Sequence, residues 1–340
     1  MEFSAILGHE RPTGILRRSA RADRFAHAYL FQGPGGVGKR TVADAFAAFL
    51  LCESARDDDA CGGCASCAKL RAGTHPDLHL LELPEGRSRI PIELFHALEA
   101  RLQLAAHQGS RRVAIVDPAD RLSIEAQHAF LKSLEEPRPD TIFILVTSRP
   151  SALVVTILSR CQRIGFGPIP APVLREALAG RFGIDEGRAG MLAAIARGSL
   201  GRALALNDDK VLSEMDTLLE KADAAATGLV APGLEWSESV RGTEEHRAQA
   251  MLLLDLLLLG IRDVMVLASG GAQADVAHAG RAEKLGRQAA LPGAAQRAGA
   301  AYARVLEAQR DIRGNVNPAL ALQGMFTGLA ACLHPSQPRP

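Results

Sequence analysis

The chain has 340 residues, 47% of them hydrophobic and 23% charged, which is the composition of a globular protein of two or three domains rather than a disordered or fibrous one. The formal net charge of +1 excludes binding of nucleic acid through bulk positive charge, because no basic excess is present to neutralise phosphates. Contacts with nucleic acid must therefore be local or shared with partners. Six cysteines are too few for a disulfide scaffold at this length.

Neither a targeting segment nor a membrane span is predicted. The first residues, Met-Glu-Phe-Ser-Ala, lack the basic and apolar regions of a signal peptide. The longest apolar run, residues 251–260, is interrupted by Asp255 and followed by Arg262, so it is too short and too charged to cross a bilayer. We expect a cytoplasmic protein without a membrane partner.

A glycine-rich loop occupies residues 33–41, Gly-Pro-Gly-Gly-Val-Gly-Lys-Arg-Thr, between an apolar run and a segment with helical periodicity. Strand, glycine loop and helix form the context in which backbone N–H groups hold phosphate oxygens. The usual pattern places Ser or Thr directly after the lysine, but here Arg40 follows Lys39 and Thr41 comes one residue later. The hydroxyl expected to hold Mg²⁺ is thus missing or displaced.

Four cysteines follow with the spacing C-x8-C-x2-C-x2-C, and Gly62 and Gly63 allow the backbone to fold around one centre. Four thiolates complete a closed tetrahedral zinc site with no open position for a substrate. Two alternatives stay open: free thiols in a loop, and an iron–sulfur cluster, whose cysteines usually have other spacings. We predict a structural zinc ion with four ligands, Cys52, Cys61, Cys64 and Cys67.

A buried parallel strand is predicted before Asp117, because an apolar β-branched run ends at this residue, as in a strand that carries a Mg²⁺ ligand. Pro118 follows, where nucleotide hydrolases of this architecture normally have a glutamate that activates water. Asp120 cannot be assumed to replace that glutamate. A second buried strand at 141–147 ends near the edge where open parallel sheets bind ligands.

The pattern of a helix covers residues 123–136, with a serine N-cap and apolar residues on one face. Prolines at 168, 170 and 172 mark a hinge. From residue 173 onward the sequence is helical and rich in Ala and Leu, with a further break near residue 207.

Five strings together resemble the AAA+ clamp-loader subunits of bacterial DNA polymerase III, and most closely the delta-prime branch of that family. They are His-Ala-Tyr-Leu-Phe-x-Gly-Pro-x-Gly-x-Gly-Lys at 27–39, the four-cysteine insert, Leu-Lys-Ser-Leu-Glu-Glu-Pro at 131–137, Thr-Ile-Leu-Ser-Arg-Cys at 156–161 and Gly-Ser-x-Gly-Arg at 198–202. These motifs extend over residues 1–207. Beyond them, only the helical character and Gly-Asn-Val-Asn-Pro at 314–318 resemble the family.

The resemblance implies an α/β fold of three domains. These are an AAA+ P-loop domain with a parallel sheet and the zinc insert (52–67) at 1–167, a small helical lid domain at 168–207, and a C-terminal all-α collar domain at 208–340. The implied partners are the tau/gamma and delta clamp-loader subunits in a hetero-pentameric ring. Through that complex, the sliding clamp and primed DNA are implied as well.

The resemblance also implies roles for single residues. Arg160 matches the arginine finger, which acts in trans on ATP bound by the neighbouring subunit. Thr147 or Ser148 matches the first sensor, Asp117 the Mg²⁺ position and Arg202 the second sensor. The positions implied for binding ATP or ADP are Gly33, Pro34, Gly36, Val37, Gly38, Lys39, Arg40, Thr41, Asp117 and Arg202.

Arg40 and Pro118 depart from the family's ATPase subunits, which have Ser or Thr and Glu at these positions. Phosphoryl transfer depends on correctly placed charge and metal, so each loss is expected to raise the barrier by roughly several kcal/mol. We therefore predict a delta-prime-type component of the DNA polymerase III holoenzyme, a DNA-directed DNA polymerase and thus a transferase, without ATPase activity of its own. Two alternatives stay open: an active tau/gamma-like ATPase that uses Thr41 in a shifted loop, and a zinc-stabilised adaptor.

Overall fold

The structure is a computed structural model, and it describes residues 2–56, 59–103, 111–240, 243–272, 276 and 282–333. The chain divides into two compact units. One contains residues 1–182 together with 197–202, and the other contains residues 183–196 together with 203–340. Every candidate site residue lies in the first unit.

Within the described part of the first unit, five parallel strands form one sheet in the order β2-β3-β4-β1-β5. They are β1 (Ala28–Gln32), β2 (Leu78–Glu82), β3 (Arg112–Asp117), β4 (Thr141–Thr147) and β5 (Gln162–Gly165). Glu82 pairs in register with Asp117, and Gln32 pairs with Thr147. The ends of these strands therefore meet at the carboxyl edge of the sheet, where open parallel sheets bind ligands.

Helices alternate with these strands along the chain. Their bounds are α1 (Glu10–Arg21), α2 (Lys39–Leu51), α3 (Ala65–Arg71), α4 (Ile92–Leu102), α5 (Ile124–Glu135), α6 (Val155–Arg160) and α7 (Ala171–Phe182). Ser123 is the N-cap of α5, because its hydroxyl accepts a hydrogen bond from the backbone N–H of Ala126 at 3.1 Å.

The sheet is packed with apolar side chains on both faces, because successive residues of a strand point to opposite sides. On one face Tyr29 packs edge-on against Phe46 of α2, with ring centroids 5.1 Å apart. On the other face Phe143 of β4 packs in the same way against Phe130 of α5 at 5.0 Å. Burial of α2 on the sheet holds its N-terminus at the carboxyl end of β1.

In the described part of the second unit, all of the regular secondary structure is helical. Its helices are α8 (Glu186–Ile195), the end of α9 (Leu200–Leu206), α10 (Asp209–Ala226), α11 (Ala231–Ser239), α12 (Glu244–Ala268), α13 (Ala282–Ala289), α14 (Ala294–Arg313) and α15 (Pro318–Leu333). Leu254, Val305 and Phe326 are fully buried among them. None of the described helices combines the length with the low charge that a bilayer-spanning segment needs.

The structure confirms the parallel α/β sheet, the strand at 141–147, the serine-capped helix and the helical second half. Sequence reasoning missed β2 and α4, for which it made no prediction. The division into domains at residues 167 and 207 stays a prediction. The end of the predicted collar domain, residues 334–340, lies outside the described residues.

Candidate functional site

The glycine loop joins β1 to α2, as the sequence predicted. Gly38 is the N-cap of α2 and has a φ of 105°, a left-handed conformation that favours glycine. The carbonyl of Val37 lies 2.6 Å from Nε2 of His9, which is buried and packs edge-on against Phe166. The loop is therefore held by side chains from outside its own motif.

The predicted second-sensor segment lies against this loop. The backbone N–H of Gly201 donates to the carbonyl of Gly36 at 2.9 Å, and the N–H of Arg202 donates to Oγ of Ser199 at 3.2 Å. Gly36 has a φ of 70°, and a Cβ at this position would collide with Oγ of Ser199. The fold thus brings Arg202 and the glycine loop together, although they are far apart in the sequence.

Lys39 is 6% exposed, and its ammonium group points back onto the loop. Nζ donates to the carbonyl of Gly33 at 2.8 Å and to the carbonyl of Pro34 at 2.6 Å. Burial lowers the pKa of Lys39, against the opposing charges of Asp117 and Asp120. The lysine would have to leave both carbonyls before it could bind a phosphate.

Arg40 is surrounded by three carboxylates, which we call the carboxylate cluster (Asp44, Glu82 and Asp117). Its Nε lies 2.9 Å from Asp44, and its Nη1 lies 2.8 Å from Glu82 and 3.4 Å from Asp117. Burial raises the pKa of Asp117, against the lowering effect of Arg40. The guanidinium thus lies beside the carboxylate that was predicted to hold Mg²⁺.

Asp120 belongs to a different network at the same sheet edge. Its carboxylate is buried and accepts hydrogen bonds from Oγ1 of Thr147 at 2.8 Å and from the backbone N–H of Ser148 at 3.4 Å. Arg149 adds an ion pair with Asp120 at 3.1 Å. The residues predicted for the first sensor are therefore tied to Asp120, which holds the end of β4 in place.

A magnesium–nucleotide complex does not fit the residues present at this edge. Asp117 is paired with Arg40, the residue after Lys39 has no hydroxyl, and Thr41 is exposed one position later. Mg²⁺ requires near-octahedral oxygen ligands and usually takes one or two carboxylates together with phosphates. Here the guanidinium of Arg40 already occupies that side of Asp117.

Arg160 ends α6 and lies away from the glycine loop in sequence, with 35% of its side chain exposed. Its Nη2 pairs with Glu135, the last residue of α5, at 2.7 Å. Its Nη1 donates to the carbonyl of Thr156 at 3.1 Å. An exposed ion pair of this kind contributes only about 0–1 kcal/mol, so the guanidinium can be released at low cost.

The four predicted zinc ligands come together in space. Their sulfur atoms all lie within 4.8 Å of one another. Sγ of Cys52 is 3.9 Å from Sγ of Cys64 and 3.7 Å from Sγ of Cys67. Ligands at the corners of a tetrahedron with metal–sulfur bonds of about 2.3 Å lie about 3.8 Å apart, so this donor set fits a metal ion such as zinc.

Backbone N–H groups point at these sulfur atoms. Cys61 N donates to Sγ of Cys52 at 3.3 Å, Cys64 N to Sγ of Cys61 at 3.4 Å, and Cys67 N to Sγ of Cys64 at 3.4 Å. Backbone donation from Gly63 and Cys64 lowers the pKa of Cys61 to about 6, whereas burial raises the pKa of Cys52 and raises that of Cys67 to about 12. Such donors stabilise thiolates, which are the form that binds a metal.

A buried chain of hydrogen bonds supports the helix that carries Cys67. Oγ of Ser66 donates to the carbonyl of Leu51 at 2.5 Å and lies 2.9 Å from Nε2 of His75. Nδ1 of His75 accepts from the backbone N–H of Asp77 at 3.1 Å. Since Nδ1 accepts, Nε2 carries the proton and the imidazole is neutral.

His75 is expected to make the stability of the protein depend on pH. Burial lowers the pKa of His75, against the charge of Asp77, so the unfolded chain takes up a proton at a higher pH than the folded chain does. The stability is therefore fully present above the unfolded pKa of about 6.5 and is lost as pH falls below it. Denaturant unfolding at pH 7.5 and 5.5 should show a larger loss for wild type than for His75→Gln. An equal loss in the two proteins would contradict the assignment.

Sequence reasoning identified Lys39, Asp117 and the cysteines, but it missed Asp44, Glu82 and His75. Asp44 lies one turn after Arg40, and an i, i+4 pair could have been read from the sequence. Glu82 reaches the site only because β2 lies beside β3. Nothing in the local sequence indicates that pairing.

The fold and the loop first define the class of protein. A parallel sheet whose first strand leads through a glycine loop into a helix, with an arginine segment against that loop, is the architecture of an AAA+ domain. The chain aligns with a DNA polymerase III gamma subunit-related protein of Thermotoga maritima at a TM-score of 0.50 and 16% identity. That alignment covers 95% of this chain and 100% of the other, and it supports the fold alone.

The comparison of sequences then gives the family. Residues 8–170 match the family model described as DNA polymerase III, delta subunit. DNA polymerase III subunit delta' of Pseudomonas aeruginosa is 44% identical over 136 residues, which are 40% of this chain and 42% of that protein. DNA polymerase III subunit tau of Bacillus subtilis is 33% identical over 237 residues, which are 67% of this chain and 41% of that protein.

Over residues 8–170 the chain matches the DNA polymerase III clamp-loader family, and its relatives in the comparison are delta-prime and tau subunits. The matches to delta-prime proteins confirm the resemblance that the motifs indicated. The alignments span 42% of the length of the Pseudomonas relative and 41% of the length of the Bacillus relative.

Proposed function

We propose that the chain is a delta-prime-type subunit of a clamp loader, which does not hydrolyse ATP itself and supplies Arg160 to ATP bound by a neighbouring tau/gamma subunit. Together with tau/gamma and delta subunits it would complete a hetero-pentameric ring that loads the sliding clamp on primed DNA. The observation that carries the proposal is the position of Arg40 among three carboxylates, where an active ATPase needs a hydroxyl and Mg²⁺.

The absence of hydrolysis in this chain follows from the chemistry of phosphoryl transfer. The reaction relies on positioning and on positive charge that neutralises the transferred phosphoryl group, with a carboxylate or amide to orient water. At this sheet edge Asp117 is held by Arg40, Asp120 is held by Thr147 and Arg149, and Pro118 offers no base. Both carboxylates that follow β3 are thus engaged by other side chains, and the position where a glutamate would activate water is a proline.

Arg160 has the features that an arginine finger needs. Its guanidinium lies at the end of a helix, is partly exposed, and is held in place by Glu135 and by the carbonyl of Thr156. A guanidinium can form two parallel hydrogen bonds with a phosphate, and this bidentate contact is stronger than a single contact with a carboxylate. Contact with a neighbour's ATP would therefore exchange the Glu135 ion pair for a stronger one, and Glu135 would keep the finger oriented until then.

We further infer that the cysteine centre holds one structural zinc ion. The sulfur spacing fits tetrahedral ligation, and four thiolates leave no position for a substrate. Zinc supplies folding energy at such a site. Cys64 caps α3 and Cys67 lies within it, so the metal would tie this helix to the end of α2 at Cys52.

The purified chain alone is expected to bind nucleotide weakly at most and to hydrolyse no ATP above the buffer blank. The measurement is a nucleotide-binding titration paired with a steady-state ATPase assay in the presence of MgCl2, with a tau/gamma subunit as the positive control. Turnover by the isolated chain that Thr41→Ala abolishes would contradict the proposal. It would favour an active ATPase that uses Thr41.

Gel filtration separates the clamp-loader proposal from the adaptor alternative. A delta-prime-type subunit is expected to co-elute with tau/gamma and delta subunits. Failure to co-elute with correctly folded partners would favour a zinc-stabilised adaptor with no ring partner.

A further inference from the structure

The carboxylate cluster has an internal cation in Arg40. Three carboxylates, from the second turn of α2 and from the ends of β2 and β3, lie 2.9, 2.8 and 3.4 Å from one guanidinium. Asp117, the position expected to ligate Mg²⁺, is among them. These contacts come from three separate elements, so the tertiary fold, rather than a local turn, assembles the cluster.

We propose that the guanidinium of Arg40 is a built-in replacement for the divalent cation, so that this loop excludes Mg²⁺ rather than merely lacking one of its ligands. A Mg²⁺ ion at Asp117 would lie next to the guanidinium, and Lys39 adds a second positive charge that interacts with the same carboxylate. Two like charges around one carboxylate oppose each other strongly in a partly buried site. Arg40 also donates N–H hydrogen bonds to the carboxylates, and a metal ion would have to displace these bonds.

Removing the guanidinium should therefore open a cation site that wild type does not have. In Arg40→Ser, Asp44, Glu82 and Asp117 face one another without their shared cation, and the serine supplies the hydroxyl that directly follows Lys39 in the usual loop. Carboxylate and hydroxyl oxygens are the ligands that Mg²⁺ prefers. The variant is expected to lose stability in metal-free buffer and to regain it as MgCl2 is added.

The experiment measures the melting temperature of the full chain across a MgCl2 titration. The buffer is freed of divalent cations by resin, since a strong chelator would also remove a metal from the four thiolates. Magnesium is the probe because it does not bind thiolates. Arg40→Ser should show a saturable rise in melting temperature and an affinity for Mg²⁺ at least about tenfold above that of wild type.

Two further variants locate the effect. Arg188→Ser removes the ion pair between Arg188 and Asp209 at 2.7 Å, outside the cluster, and should respond to MgCl2 no more than wild type does. Arg40→Ser/Asp117→Asn should lose the response. If Arg40→Ser does not fold, Arg40→Gln keeps the aliphatic stem and answers the same question.

Equal responses of wild type and Arg40→Ser to MgCl2, or no response by either Arg40 variant, would overturn the inference. The inference about Arg40 concerns the same glycine loop as the proposed loss of hydrolysis, and it rests on the proposed function in that respect alone. Its readout needs neither nucleotide nor partner subunits, so a failure here and a failure of the Arg160 assignment are distinguishable.

Discussion

On the proposed function, Arg160→Ala is expected to abolish hydrolysis at the ATP site that Arg160 would face in a reconstituted clamp loader. An arginine finger in trans contributes ~10³–10⁵ in rate, because its charge neutralises the transferred phosphoryl group in the transition state. In a single-turnover assay on the assembled complex, the amplitude of the hydrolysis burst should fall by the fraction that this site contributes to the wild-type burst. The ring itself should still form, because the lost ion pair with Glu135 is exposed and contributes only about 0–1 kcal/mol to stability.

Arg163→Ala is the matched control for this experiment. Arg163 lies three residues further along on β5, is exposed, and donates from Nε to the carbonyl of Leu158 at 3.2 Å. Its removal takes away the same charge at nearly the same place and should leave the burst unchanged. Unchanged turnover in Arg160→Ala, with assembly verified by gel filtration, would refute the finger assignment. An equal loss of the hydrolysis burst in both variants would show that the effect comes from the change in net charge and not from the position of Arg160.

Cys64→Ser is expected to lose the metal and to destabilise the first unit. Metal analysis should find about one zinc per wild-type chain and a clear deficit in the variant. The free energy of unfolding should fall by several kcal/mol, on the order of 3 or more, because loss of a structural metal is among the largest single-site effects. Sγ of Cys64 also caps α3 by accepting from Cys67 N, and serine is itself a good N-cap, so the loss reports on the metal rather than on the cap.

Cys161→Ala is the control for the cysteine centre. Cys161 is buried in the core on the opposite face of the sheet, so it lies outside the group of four sulfur atoms. Its replacement should leave the zinc content at the wild-type level. Zinc retained by Cys64→Ser would contradict the assignment. Iron and visible absorbance in wild type would favour the iron–sulfur alternative, and four titratable thiols without metal would favour free cysteines.

Much of the cysteine centre could be predicted from sequence, because its ligands lie within sixteen residues and their spacing is a local property. The carboxylate cluster could not. The substitution of Arg40 for a hydroxyl residue was visible, and so was Asp117, but their contact joins the first turn of α2 to the end of β3. Glu82 entered the cluster through strand pairing, and β2 carries too weak a pattern to be recognised alone.

Arg160 shows the same limit. The Thr-Ile-Leu-Ser-Arg-Cys string marked the residue, whereas its partner Glu135 lies on another helix and was not anticipated. Periodicity and caps act over one or two turns, so they predict helices and strands. They carry no information about which charged side chains converge from separate elements.

The sequence by itself determined the glycine loop, the altered residues Arg40 and Pro118, the cysteine spacing and the family resemblance, because each is encoded in contiguous residues. Only the tertiary structure decided how the loop is held. It turned Lys39 onto the carbonyls of Gly33 and Pro34 and placed Arg40 among three carboxylates. The physical reason is that burial and strand order set which charges meet, and these depend on the packing of the whole sheet.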